Sequence, residues 1–179
     1  DAQLSRGLGD VYKRQQSDFE LVKNYKTAIF DDGYSFVGGN LNGDITLVEF
    51  IDYKCGYCKK AHGEVEKLLS TDGNIRFIIK EFPILGEDSL KMSKFALAVK
   101  IALGDEAYKV VHDILIKMKA APSTKAFDRI INNLNLDKKL VQDAMESPEV
   151  KGIIADTRNL AEKLKISGTP TFVMKDELI

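Results

Sequence analysis

The sequence contains two cysteines, four prolines and no tryptophan. Two cysteines three positions apart, Cys55 and Cys58, cannot staple a disulfide-dense scaffold, so stability must come from an apolar core. A second cysteine pair, which a four-thiolate zinc site needs, is missing. Charge of one sign is also missing: 26 basic and 27 acidic residues leave a net charge of −1. A phosphate backbone would find no basic footprint, so nucleic acid is not an expected partner. No apolar run approaches the ~20 residues of a membrane helix, so no span is expected. What remains is 179 residues, 44% hydrophobic and 30% charged, enough for one globular domain or one domain with an insertion.

The two ends say least. Residues 1–15 (DAQLSRGLGDVYKRQ) have neither amphipathic order nor a charged segment followed by an apolar one, and are set aside as a non-native leader. The last residues, Lys175-Asp176-Glu177-Leu178-Ile179, include a KDEL string. It is not terminal, so it is no retention signal.

Between the ends, residues 16–34 form an N-terminal segment in which 17–30 has helical apolar spacing. Ser35–Val37 suits a brief strand. Ile45–Ile51 and Ile75–Phe82 are β-rich and apolar nearly throughout, the pattern of strands covered on both faces. Cys55–Leu69 between them reads as a helix with Val65, Leu68 and Leu69 on one face. Strand, helix, strand with short links predicts a βαβ unit: parallel strands and a right-handed crossover. Residues 88–165 contain no convincing strand. Helix starts are expected at Asp88 or Ser89, at Gly104-Asp105, Ser123, Asp137 and Ser147-Pro148. Thr171–Met174 returns to strand. The pattern is an α/β frame in two halves, 35–87 and 166–179, separated by a helical insertion over 88–165.

Cys55 and Cys58 carry the chemistry. A three-residue step at a helix start sets both sulfurs on one side of the first turn, within reach of a disulfide. At the helix N-terminus the unpaired N–H groups and the macrodipole favour a thiolate on Cys55. Cys58, a turn further in, is placed to resolve a mixed disulfide. Gly56 keeps the intervening loop free of bulk, and Tyr57 adds a ring and a hydroxyl. A structural staple is the plainer alternative, but directly after a buried strand inside a βαβ unit the redox reading is favoured. Cys55, Cys58 and His62 fall at i, i+3 and i+7, three ligands for a zinc ion with an open position. An exposed helical histidine is ordinarily just solvated, and His112 lies far off in the helical block, so no metal is expected. No other cofactor is implied, since the sulfur pair is its own redox centre.

Glu49 and Lys80 each interrupt an apolar strand, on what should be adjacent central strands. Buried charges need partners, which makes them a candidate pair. Alternatively Glu49 faces a polar edge and the Lys80 head reaches water. Gly168-Thr169-Pro170, taken alone, is an ordinary turn with a trans proline.

Three segments together resemble a known family. Phe50-Ile51-Asp52-Tyr53-Lys54-Cys55-Gly56-Tyr57-Cys58-Lys59 is similar to the active-site strand and helix of DsbA-family thioredoxin-fold proteins, nearest the subgroup reading FDYxCGYCK. Lys80–Gly86 (KEFPILG) resembles that subgroup's segment after the second central strand, and Gly168–Val173 (GTPTFV) its cis-proline loop. The resemblance covers about residues 35–179 and implies an α/β thioredoxin fold with an inserted all-helical subdomain. It implies a thiol–disulfide oxidoreductase, oxidase or isomerase, with a reductase or a non-catalytic thiol metal-binding module as rivals. Thr169 and Pro170 would then form a cis loop facing Cys55, where Thr169 aligns substrate backbone by strand addition. Glu49 and Lys80 would lie beneath Cys58 and relay its proton. Cysteine-containing substrate proteins, a membrane or soluble redox partner and a periplasmic location follow from the same likeness. That fold continues past this sequence with a further strand, so Thr171–Met174 is expected here as an exposed edge.

Overall fold

The computed structural model describes residues 2–175 and 177–179, Glu177 by its backbone alone. Two helices open the chain, α1 (Ala2–Asn24) and α2 (Lys26–Phe30). Helix is thus found over residues 2–15 as well, but none of these residues is buried. The predicted helix over 17–30 is broken near Tyr25. Strand β1 (Phe36–Gly39) leads to β2 (Ile45–Ile51), α3 (Gly56–Thr71) and β3 (Ile75–Glu81). Five helices follow: α4 (Glu87–Leu103), α5 (Asp105–Lys117), α6 (Thr124–Asn133), α7 (Lys138–Met145) and α8 (Pro148–Lys163). Strands β4 (Thr171–Met174) and β5 (Glu177–Leu178) complete the described elements.

The sheet order is β1-β3-β2-β4-β5. β2 and β3 are parallel, as a βαβ unit demands, and β1, β4 and β5 each join antiparallel to a neighbour. The expected exposed edge at Thr171–Met174 is corrected by β5: Phe172 and Ile179 exchange backbone hydrogen bonds of 2.8 and 2.7 Å. Polar backbone groups on that side of β4 are therefore paired within the chain.

Both faces of the sheet are covered, which is why β2 and β3 read as continuous apolar runs. Leu47, Ile51, Ile75, Phe77 and Ile79 pack with α3 to α7 in one cluster. Val48, Phe50, Ile78 and Phe82 pack with α1, α2 and the end of α8 in another. Helix α8 serves both: Val150, Ile153 and Ile154 belong to the first cluster, Leu160 and Ala161 to the second. The sequence pattern assigns all of 88–165 to an insertion, whereas the C-terminal half of α8 covers the sheet itself.

Local signals set most helix starts. Ser123, Asp137 and Ser147 accept from the backbone N–H of Ala126, Leu140 and Val150, caps that stabilise by about 1 kcal/mol each. Helix α4 differs. Its cap position is Gly86, with φ 104°, and not Asp88 or Ser89. Ser89 is buried, and its hydroxyl donates to Asp52 at 2.7 Å instead of capping the helix.

Candidate active site

Cys55 is the N-cap residue of α3. Its Sγ accepts from the Cys58 backbone N–H at 3.4 Å and donates to the Thr169 carbonyl at 3.2 Å. Both cysteines are reduced and buried. Burial alone would raise the Cys55 thiol. Hydrogen bonds from the Thr169 side chain and from the backbone of Cys58 and Tyr57 outweigh it, and the thiol lies below its ordinary value. Cys58 goes the other way: burial, with the Cys55 sulfur beside it, pushes it up to about 12. One sulfur is set up as thiolate and leaving group, the other as a protonated thiol.

The peptide bond Thr169–Pro170 is cis, and the loop lies against Cys55 through the Thr169 carbonyl. Tyr57 is 76% exposed beside the sulfurs. Gly56 sits in open space: a side chain there would meet nothing within 4 Å and its φ is ordinary. Intramolecular crowding therefore does not explain this glycine.

Asp52, missed in the sequence, sets the approach to the helix. It is fully buried and accepts from the backbone N–H of Lys54, Ile84 and Leu85 at 2.8 to 3.0 Å, as well as from Ser89. One carboxylate thus joins the end of β2, the loop after β3 and the start of α4. Its only sequence signal was an acid directly after an apolar strand. Lys59 donates from Nζ to the carbonyls of Ile116 and Met118 at 3.1 and 2.9 Å. Those carbonyls end α5, where a cation is favoured.

Glu49 and Lys80 do not meet. In the parallel register Glu49 lies beside Ile79, and Lys80 beside Phe50, so the two side chains project from opposite faces of the sheet. Lys80 turns toward α2 and forms an ion pair with Asp32, adding bonds to the Ala28 carbonyl and Ser35 hydroxyl at 3.0 and 3.2 Å.

Glu49 is 5% exposed, and its Oε2 has no hydrogen-bond partner among the described residues. Burial, with the charge of Glu66 adding to it, pushes its carboxyl up to about 8. It is therefore neutral at pH 7 in the folded chain. An unfolded chain releases that proton near pH 4.5. Between those values the folded state binds more protons, so this group lowers stability as pH rises from about 4.5 to 8. Urea unfolding should show Glu49→Gln gaining about 4 kcal/mol over the wild type between pH 5 and pH 8.5. A constant difference between the two pH values would refute the assignment.

A second buried acid, Glu81, accepts from the hydroxyls of Tyr53 and Tyr108, each at 2.6 Å, and of Ser93 at 2.8 Å. Burial raises it to about 7, although these three donors oppose the shift. The Tyr53 hydroxyl also meets His112 Nδ1 at 2.9 Å. His62 is buried against α5 rather than solvated, with its Nε2 3.6 Å from Asp113 Oδ1. Burial moves both histidines below their ordinary value.

Comparison with known proteins places this geometry in context. The family model described as Thioredoxin matches residues 31–179. A thioredoxin-like oxidoreductase of Silicibacter pomeroyi is 39% identical, with 86% of this chain and 87% of that one covered and a TM-score of 0.79. The thiol-disulfide exchange protein alpha-DsbA2 of Wolbachia pipientis is 31% identical, covering 93% and 89%, with a TM-score of 0.86. A curated relative, the Na(+)/H(+) antiporter NhaA 3 of Salinispora tropica, is 26% identical over 142 residues, 79% of this chain. The chain spans only 22% of that protein's length. Among the described residues, no helix is long and apolar enough to cross a membrane.

Proposed function

Because the chain belongs to the thioredoxin family, and within it to the DsbA-like proteins, we propose that it is a thiol–disulfide oxidoreductase exchanging disulfides with the cysteines of substrate proteins through the Cys55-Gly56-Tyr57-Cys58 motif. The observation that carries this reading is the placement of Cys55 at the N-cap of α3, accepting from the Cys58 N–H and facing the cis Thr169–Pro170 loop, an arrangement that draws the Cys55 thiol down while burial pushes Cys58 up.

In the oxidising direction a substrate thiolate attacks Cys55 Sγ of the Cys55–Cys58 disulfide. The S–S bond breaks, the electron pair goes to Cys58 Sγ, and that sulfur takes up a proton. A second substrate thiolate then attacks the substrate sulfur of the mixed disulfide. Cys55 leaves as a thiolate, held by the N-terminus of α3. The substrate leaves with a new disulfide, and the protein is left as the dithiol. Stabilising the reduced form in this way makes a pair more oxidising. Oxidation is therefore the favoured direction over isomerisation or reduction.

The substrate strand would lie along the loop at Thr169 and Pro170, with Tyr57 against its side chains, pairing backbone to backbone. A redox partner must reoxidise the dithiol. The periplasm, an oxidising compartment, is the proposed location. Equilibration of the Cys55/Cys58 pair in glutathione buffers tests the direction. A potential near ~−120 mV supports an oxidant, and one near ~−270 mV refutes it in favour of a reductant.

A further inference from the structure

We propose that His62, His112 and Asp113 form a site for a divalent transition-metal cation of the zinc class, at the junction of α3 and α5 and separate from the cysteine pair. One ring nitrogen from each histidine and one Asp113 oxygen all lie within 4.8 Å of one another. A tetrahedral zinc ion with bonds of about 2.0–2.1 Å sets its ligands about 3.3 Å apart. Side-chain rotation closes the difference, and His62 Nε2 is already 3.6 Å from Asp113 Oδ1.

A second, independent feature is the support behind His112. Its Nδ1 meets the Tyr53 hydroxyl at 2.9 Å, and that hydroxyl donates its own proton to Glu81. The Tyr53 oxygen therefore accepts from Nδ1–H, which leaves the lone pair of the ring on Nε2. Metal-binding histidines are typically held this way, with the other ring N–H given to an acceptor that a carboxylate orients. The Tyr108 ring stacks on His112 and fixes its plane.

The donor set selects the ion. Two nitrogens and one carboxylate suit zinc and its neighbours, whereas calcium and magnesium need more oxygens. The fourth position is left for water. The histidines are buried, while the Asp113 side chain is 33% exposed and offers a route in. Lys109 is the built-in competitor. Its ammonium contacts both Asp113 oxygens, at 2.7 and 2.9 Å, and Glu66 at 2.9 Å. An arriving cation has to share or displace it.

Calorimetric titration with zinc chloride tests the site, using protein in which Cys55 and Cys58 are oxidised to the disulfide so that thiolates cannot bind. One equivalent should bind. His62→Ala and Asp113→Asn should each weaken it at least tenfold, and Lys109→Met should tighten it several-fold. Asp113 lies at the surface, so Asp113→Asn keeps the test open if His62→Ala fails to fold. No binding to the oxidised protein, uptake by the reduced protein alone, or undiminished binding in the folded variants would overturn the proposal.

Discussion

Cys55→Ser is expected to abolish disulfide exchange, by at least about 10³-fold, whereas reduced Cys58→Ser still attacks a substrate disulfide through Cys55, the reverse of the oxidising step, and accumulates the mixed disulfide. The two outcomes differ because the two sulfurs have different surroundings. Cys55 caps α3 and takes hydrogen bonds that draw its thiol down, which suits it to the proposed roles of nucleophile and leaving group. A serine hydroxyl there has neither property. Cys58 is buried and pushed up to about 12, so it acts only on a disulfide already formed at its neighbour. Alkylation of reduced Cys58→Ser should consequently titrate below the ordinary thiol range. Mass spectrometry after incubation with a disulfide-bonded peptide reads the trapped adduct, each adduct releasing one peptide thiol. Comparable exchange rates for Cys55→Ser and the wild type, or an adduct that Cys55→Ser forms through Cys58 as readily as Cys58→Ser does through Cys55, would sink the assignment of roles.

Asp32→Ala is expected to destabilise the fold by about 3–5 kcal/mol, because it leaves the Lys80 ammonium buried without its counter-charge. Lys80 is 1% exposed, and its Nζ has three oxygen partners: Asp32, Ala28 and Ser35. Burial pulls its pKa down, and the Asp32 charge holds it up against that pull. Asp32 in turn sits below its usual value although burial works against its charge, because Lys80 attracts it and Ser35 donates to it. Replacing both residues, Asp32→Ala with Lys80→Met, should recover much of the loss, since removing both charges leaves nothing unpaired. Denaturant unfolding of the single and double variants measures the coupling. If Asp32→Ala cost less than 1 kcal/mol while Glu49→Gln disrupted Lys80, the original Glu49–Lys80 pairing would stand after all.

These residues show where local reading succeeds and where it stops. The boundaries of β2, α3 and the caps at Ser123, Asp137 and Ser147 follow from apolar runs and side-chain-to-backbone bonds spanning three residues. The α/β thioredoxin fold with its helical insertion was likewise legible, since three motifs in order specify it. Glu49 and Lys80 were each recognised as buried charges, but their pairing rested on adjacency in the sheet. Parity decides that question: in this register adjacent residues 49 and 79 share one face and 50 and 80 the other. His62 likewise looked solvated on its own helix, because its environment is supplied by α5, some fifty residues later. Asp52 and Glu81 were hidden for the same reason, as their partners come from distant segments.

By itself, then, the sequence determined where the sulfur pair lies and its setting. A three-residue cysteine step at the start of a helix after a buried strand is a local arrangement, and backbone geometry over one turn is enough to specify it. Only the tertiary structure decided which ionisable groups neutralise one another, which helix receives Lys59, and that two histidines fifty positions apart share one cluster with Asp113. Those outcomes depend on strand register and helix packing, which are settled by the burial of whole faces rather than by any residue's neighbours in the chain.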